Sequence, residues 1–168
     1  MEGKNYINGA FVDGTSGDRF ESRNPANFDE ILGTFPLSSE QDVNNAVRAA
    51  KTAYDGWRRL SRIKRGEHFD EFVQLLKKDR EEISRLVTKE CGKGIVEGRA
   101  DVTEGIHMVQ YTFGTVRMPH GDVVDSEISE KDAFMRRKPK GVVAAISPWN
   151  FPFAIPLWLI CPSVVEGN

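Results

Sequence analysis

Residues 141–152 read GVVAAISPWNFP, and this stretch decides the fold. Its first seven residues are apolar or small without polar alternation, a pattern typical of a parallel β-strand that is covered on both faces. The PWNFP segment at 148–152 then predicts a strand-to-helix connection, because proline is tolerated in a first helical turn. Apolar residues continue as a helix to Glu166, and Gly167-Asn168 predicts its end. A parallel strand needs neighbouring strands, so the pattern predicts an α/β fold.

The residues before this stretch predict mainly helices. Ser38 or Ser39 supplies an N-cap for a first helix that ends near Trp57, and Gly92 is placed to stop a later one. Apolar residues recur at helical spacing in three further segments, at about 63–78, 80–90 and 96–116. The opening, with its Asn8-Gly9 turn, predicts short strands in hairpins, and residues 122–138 predict another hairpin with a solvent-exposed face.

The composition bounds the class of protein. The chain has 168 residues, 39% of them hydrophobic, which is sufficient for one globular domain. With 23 basic and 25 acidic residues the net charge is -2, so no excess charge favours nucleic acid or an anionic membrane as partner. Two distant cysteines and an N-terminus without an apolar leader indicate a reduced, cytoplasmic protein whose partner is a small molecule or another protein.

The order of the motifs resembles the aldehyde dehydrogenase family over nearly the whole chain. The signature is the strand, turn and helix of residues 141–158, closing with Glu166-Gly167-Asn168. Upstream lie a hairpin that ends in Asn24-Pro25-Ala26, an alanine-rich helix with Trp57, a basic segment at 62–65, and Glu90-Cys91-Gly92-Lys93 before a long helix.

The resemblance implies the N-terminal part of an aldehyde dehydrogenase-type α/β fold. Residues 1–120 would be the hairpins and helices of the cofactor-binding domain, and residues 121–140 would form an oligomerisation hairpin. Residues 141–168 would be the first strand and helix of a Rossmann-like parallel sheet.

The resemblance also implies a chemistry. A cysteine thiolate attacks an aldehyde, hydride passes to NAD or NADP, and an activated water hydrolyses the thioester. Asn150 matches the position whose side-chain amide donates to the developing oxyanion. Taken alone, Asn150 is more simply a turn residue at the end of a strand, but the prolines and aromatic residues on both sides favour the functional interpretation.

Two further sets of residues match positions that contact ligands in the family. Ile146, Ser147, Pro148 and Trp149 match positions that line the cofactor, and Phe151, Ile155 and Trp158 match positions that line the aldehyde tunnel. Core packing is the competing interpretation for both sets. Lys138 and Lys140, which precede the strand, are better explained as solvated charges than as phosphate ligands.

The other reactive side chains fit no site. Cys91 and Cys161 are expected to be small buried or half-buried side chains rather than nucleophiles. His68, His107 and His120 lack the spacing of metal ligands, so no metal is expected. The family's nucleophilic cysteine, general-base glutamate and glycine-rich cofactor turn all follow the position of Asn168, so we expect an N-terminal portion without turnover of its own.

Two hypotheses remain open. The first is that the parent polypeptide oxidises an aldehyde, such as a semialdehyde, to a carboxylate. The second is a non-catalytic product of a truncated or split gene that acts only in assembly. In either case the 141–147 strand is an exposed pairing surface, so we expect a homo-oligomer or pairing with the missing C-terminal part.

Overall fold

The computed structural model describes residues 1–168, which form five helices and three two-stranded antiparallel sheets. The strands are β1 (Asn5–Ile7), β2 (Ala10–Val12), β3 (Arg19–Asn24), β4 (Asn27–Pro36), β5 (Gly121–Val124) and β6 (Ala133–Arg136). The helices are α1 (Glu40–Arg59), α2 (Arg62–Lys78), α3 (Arg80–Cys91), α4 (Ile95–Thr115) and α5 (Ala154–Val165). The α/β class and the four upstream helices predicted from the sequence are confirmed, with shifts of one or two residues at their ends.

Local sequence sets the ends of these helices. Ser39 caps α1 and forms a capping box with Asp42, whose carboxylate also accepts from the backbone N–H of Thr15. Gly92 ends α3 in the left-handed conformation at φ 67°, as predicted. The Asn8-Gly9 turn of the first hairpin also has positive φ at both residues, which suits the twist of β1 and β2.

The core lies where α2, α3, α4 and α5 meet, with α4 at its centre. Val102 and Val109 of α4 are fully buried, and α5 contributes Leu157, Cys161 and Val165. Each apolar stripe is buried against the others, which is the main favourable contribution to folding. Helix α5 is therefore held as part of the core, and the loop before it is held in place relative to α3 and α4.

The segment at 141–147, which the sequence predicts as a parallel strand, is not paired into a sheet in this chain. These residues have no regular secondary structure and no strand beside them, since every sheet pairs neighbouring strands in sequence. A strand exists only through hydrogen bonds to another strand, so an apolar pattern alone cannot produce one. Val143 and Ile146 are exposed as a result, Ile146 to 91%.

The hairpin predicted within 122–138 is confirmed as β5 and β6, in register from Gly121 opposite Arg136 to Val124 opposite Ala133. Both strands are largely exposed. None of the five helices combines the length and the apolar character needed to cross a membrane.

Candidate functional site

The loop of residues 148–153, between the unpaired segment and α5, forms one side of an open groove of about 700 Å³. Trp149, Asn150 and Phe151 line it from this side, and Cys91 and Lys93 line it from the junction of α3 and α4. The remaining lining residues are Pro25, Glu90, Glu97, Ala100 and Pro152. Asn150 is exposed and is one of the residues that line this groove.

Lys93 fixes the backbone of Asn150. Its Nζ donates to the carbonyl oxygen of Asn150 at 2.9 Å and lies 3.3 Å from Oδ2 of Asp101. The same ammonium lies 4.8 Å from the centre of the Phe151 ring, within cation–π range. The side chain of Lys93 is only 15% exposed, so its charge is compensated mainly inside the protein.

Asp101 joins this lysine to the start of α5. Its side chain is fully buried, and Oδ1 accepts from the backbone N–H of Ala154 at 2.8 Å. Phe153, at the N-cap position of α5, has no side-chain oxygen to accept that hydrogen bond. Asp101 therefore caps α5 from a neighbouring helix, and its negative charge lies at the helix end that favours it.

Cys91 lies on the same groove but is held as a thiol. Its Sγ donates to the carbonyl oxygen of Trp149 at 3.6 Å. Burial is the main cause that raises the pKa of the Cys91 thiol; the ammonium of Lys93 opposes it, and the carboxylates of Asp101 and Glu90 act in the same direction as burial. A thiol with a raised pKa is a poor nucleophile at neutral pH.

The structure brings only part of the predicted site together. Trp149, Asn150 and Phe151 share the groove, whereas Ile146, Ser147 and Pro148 lie in the exposed segment before it. Ile155 and Trp158 lie one turn apart on α5, half-buried and 42% exposed respectively, and do not line the groove. The ligand-binding roles of these residues remain predictions.

Sequence reasoning missed the roles of Lys93 and Asp101. In the sequence, Lys93 stands out only as the last residue of the Glu90-Cys91-Gly92-Lys93 motif. Asp101 carried a usable signal, because it is a charged residue that lies within the apolar stripe of α4, directly before the buried Val102. A charge at a core position needs a partner, which here is Lys93 and the N-terminus of α5.

A second, apolar groove of about 410 Å³ lies between α1, the unpaired segment and α5. Its walls include Tyr54, Trp57, Val142 and Ile160. Trp57 donates through Nε1 to the carbonyl oxygen of Val164 at 2.8 Å, which ties α1 to α5. Asn168 accepts from the backbone N–H groups of Lys140 and Gly141 and so anchors the start of the unpaired segment.

The far end of α5 is held by basic residues from α2. The guanidinium of the buried Arg65 donates to the carbonyl oxygens of Val165 and Leu60, and Arg62 forms an ion pair with Glu166 at 2.6 Å. His120 lies 2.6 Å from the other oxygen of Glu166. Burial opposes ionisation of Glu166, but the hydrogen bonds from Arg62 and His120 outweigh it and hold the pKa of this carboxyl below its usual value.

No group of three or more histidine, cysteine or acidic side chains converges anywhere in the structure as metal ligands would. Cys161 is buried in the core, and burial raises its pKa to about 11. The prediction that both cysteines are buried or half-buried is confirmed.

Comparison with known proteins relates these features to a family. The family model described as "Aldehyde dehydrogenase family" matches residues 11–168. The alpha-ketoglutaric semialdehyde dehydrogenase of Bacillus subtilis (strain 168) is 40% identical over 166 residues, covering 98% of this chain and 34% of the relative. The chain thus spans about a third of the length of the curated relatives it matches.

Solved structures agree over the same part of the fold. A protein assigned as a methylmalonate-semialdehyde dehydrogenase, from Sinorhizobium meliloti 1021 and complexed with NAD, superposes with a TM-score of 0.91 at 32% identity, covering 100% of this chain and 34% of that one. The NADP-dependent glyceraldehyde-3-phosphate dehydrogenase of Bacillus halodurans C-125, complexed with NADP, superposes with a TM-score of 0.92 at 26% identity. The match covers 100% of this chain and 36% of that one. A family model that matches almost the whole chain and a relative at 40% identity lead to one conclusion: this chain belongs to the aldehyde dehydrogenase family.

Proposed function

We propose that the protein that carries this chain oxidises an aldehyde to a carboxylate with NAD or NADP, and that Asn150 donates a hydrogen bond to the oxyanion that develops on the aldehyde oxygen. The observation that carries the proposal is the position of Asn150, an exposed residue that lines the groove and whose backbone carbonyl accepts from the mostly buried Lys93. A donor fixed before reaction costs no reorganisation when charge develops.

Semialdehydes are the proposed substrate class. The B. subtilis relative is named for alpha-ketoglutaric semialdehyde, and a Shouchella clausii relative at 38% identity is named for malonate semialdehyde. The proposed tunnel residues Phe151, Ile155 and Trp158 are apolar and at least partly accessible, which suits a wall along the carbon chain of the aldehyde.

The proposed cofactor site comprises Ile146, Ser147, Pro148 and Trp149, and NAD or NADP bound there would supply the hydride acceptor. These residues fit such a role because all four are exposed and none is engaged in a sheet. They follow residues 141–145, which would become the first strand of the parallel sheet once it is paired, and ligands of such sheets bind at the carboxyl ends of the strands.

The test of this assignment is Asn150→Ala in the full-length enzyme, with Asn44→Ala on the exposed face of α1 as matched control. We expect turnover with a semialdehyde to fall by about a hundredfold to a thousandfold, since one oxyanion donor is lost. Cofactor affinity, measured by titration, should stay unchanged. An equal loss in the cofactor titration would show that Asn150 binds cofactor rather than the transition state.

The chain of 168 residues alone is proposed to have no turnover. Cys91 is held as a thiol on the groove and Cys161 is buried, so neither provides a thiolate opposite Asn150. NADH absorbance with succinic semialdehyde or propanal tests this, and a steady increase from the pure chain would contradict it.

A non-catalytic assembly role is the second candidate. The observation that favours it is the exposed apolar segment at 142–146, which has no strand beside it. The assembly role and a homo-oligomer share one requirement. In both, the segment at 142–146 pairs with another polypeptide or with a further part of the same protein.

A further inference from the structure

We propose that Lys93 and Asp101 are positioning residues for Asn150, joined in a relay that runs from α4 through the lysine ammonium to the Asn150 backbone. This inference rests on the proposed role of Asn150 as the oxyanion donor. Neither residue touches the reacting atoms, and both act through the loop that carries Asn150.

The loop that carries Asn150 has little support of its own beyond one backbone hydrogen bond, from the N–H of Ile155 to the carbonyl oxygen of Phe151. Asn150 follows an unpaired segment and precedes α5, whose N-cap residue Phe153 offers no side-chain acceptor. Prolines at 148 and 152 remove two backbone donors from this connection. Polar groups from elsewhere must therefore define where the Asn150 backbone lies.

Lys93 and Asp101 supply those polar groups at two nearby points of the loop and the start of α5. Lys93 reaches the Asn150 carbonyl at 2.9 Å, and Asp101 reaches the Ala154 amide at 2.8 Å. The two side chains are 3.3 Å apart, so neither can move without affecting the other. The carbonyl of Asn150 and the first amide of α5 are thus tied to one residue just before α4 and one within it.

The contacts of Lys93 speak against a simpler role as a cation that binds a substrate carboxylate. Its ammonium already contacts the Asp101 carboxylate, the Asn150 carbonyl and the Phe151 ring, and its side chain is 85% buried. A buried ion pair with these hydrogen bonds is costly to break, since removal of one partner leaves the other uncompensated. The arrangement favours fixed geometry over ligand capture.

The consequence for catalysis is a change in the rate of the chemical step with little change in binding. The oxyanion forms only in the transition state, so an amide displaced by a fraction of an ångström weakens that state and leaves the ground state unaffected. Displacement by about 1 Å can cost about a hundredfold.

The experiment uses Lys93→Met, the conservative Lys93→Arg, and Lys89→Met as control. Lys89 pairs with Glu30 on the exposed side of α3 and does not line the groove. The first readout is nuclear magnetic resonance of the 168-residue chain, in which the side-chain amide signals of Asn150 should shift or broaden with Lys93→Met. Lys93→Arg should restore them in part, and Lys89→Met should leave them unchanged.

The second readout is kinetic, in the full-length enzyme and normalised to folded active sites. We expect Lys93→Met to lower kcat by about tenfold to a hundredfold, with KM for the aldehyde nearly unchanged and partial rescue by arginine. Asp101→Asn, which keeps an acceptor for the Ala154 amide but loses the charge, should give a smaller loss of the same kind.

The outcomes separate the two proposals. If Lys93→Met leaves the Asn150 signals and kcat unchanged, the positioning proposal is overturned. The same holds if Asn150→Ala lowers kcat but Lys93→Met does not. If the signals shift with Lys93→Met while Asn150→Ala leaves kcat intact, the positioning of the loop stands and the proposed role of Asn150 fails.

Discussion

The two thiols differ in what keeps them protonated. Cys161 is 1% exposed and lies among apolar side chains of the core. Cys91 lines the groove, and its pKa is raised by partial burial and by the neighbouring carboxylates. Only the thiolate reacts with disulfide reagents, so a raised pKa lowers the rate of reaction even where the sulfur is accessible.

We therefore expect Cys91 to react with Ellman's reagent more slowly than a free thiol at pH 8, and Cys161 to react only in denaturant. In Lys93→Met the nearest ammonium is lost, which raises the Cys91 pKa further and slows its reaction. Rapid reaction of one thiol at neutral pH, with the Cys91→Ser variant unreactive, would contradict the protonated state assigned to Cys91.

At the residue scale the sequence suggested Asn150 as a candidate but not the residues that contact its loop. PWNFP is contiguous, so its chemistry is visible in one line of sequence. Lys93 and Asp101 lie 57 and 53 residues away from their partners in the loop, and only the packing of α4 against α5 brings them there. The proximity of Cys91 to Asn150 was likewise beyond the reach of the sequence pattern.

Among the elements, the end of α3 depends on one backbone conformation. Gly92 has φ 67°, and a Cβ at this position would lie 2.9 Å from Cγ of Pro25 and 3.2 Å from the nitrogen of Ala26. Gly92→Ala should therefore destabilise the fold by about 1–3 kcal/mol. Alanine would be strained in the left-handed backbone conformation, and its Cβ would also contact Pro25 and Ala26 too closely.

The measurement for Gly92 is urea unfolding followed by circular dichroism. Gly56→Ala in α1 is the matched control, because a Cβ there meets no atom within 4 Å. It should stabilise the chain by about 0.5–1 kcal/mol, as alanine is the better helix former. Equal midpoints for the two variants would show that the α3 end adapts without cost.

Helices were easier to predict than the strand because their hydrogen bonds are internal. The apolar spacing and caps of α1 and α3, with Ser39 and Gly92 at their ends, are local properties of the sequence. The 141–147 segment has an equally clear apolar pattern, but its hydrogen bonds must come from another strand, and no described strand provides them.

For the molecule as a whole, acid should weaken the fold. Arg99 lowers the pKa of Glu81 to about 2, and Lys89, Ser39 and Arg62 are among the groups that lower the pKa values of Glu30, Asp42 and Glu166. Since these pKa values are lower in the folded state, the unfolded chain binds more protons below pH of about 4.3. Their stabilisation is present above that pH and is lost as the pH falls toward the folded values.

We expect the urea midpoint to fall as the pH is lowered from about 5 to about 3. The Glu81→Gln variant, which lacks one of these carboxyls, should have a shallower slope below pH of about 4.5. Glu67→Gln serves as control, because Glu67 is an exposed carboxylate on α2 whose ion-pair partner is the exposed Lys64. A midpoint that is constant over this range would contradict the lowered pKa values.

The exposed apolar segment should govern association. Ile146 is 91% exposed, and it lies in a segment that includes the half-exposed Val142 and Val143. A contiguous apolar surface of this kind promotes self-association in water. Ile146→Asp should shift the chain toward monomer in sedimentation velocity.

Val96→Asp is the matched control for Ile146, because Val96 is also an aliphatic residue, 75% exposed, but lies alone at the start of α4. It should leave the sedimentation profile unchanged. A stable monomer in the unaltered chain would count against both the oligomer and the assembly role.

The capping of α5 at both ends has a consequence for the order of folding. Asp101 of α4 accepts from its first amide, at Ala154, and Arg65 of α2 donates to its last carbonyl, at Val165. Pro162 removes one of the hydrogen bonds within the helix. A helix of 12 residues with external caps and an internal proline is marginal alone, so we expect it to form after α2 and α4 have docked. During synthesis both of those helices leave the ribosome before α5 does, so the loop that carries Asn150 would take its final shape as one of the last events of folding.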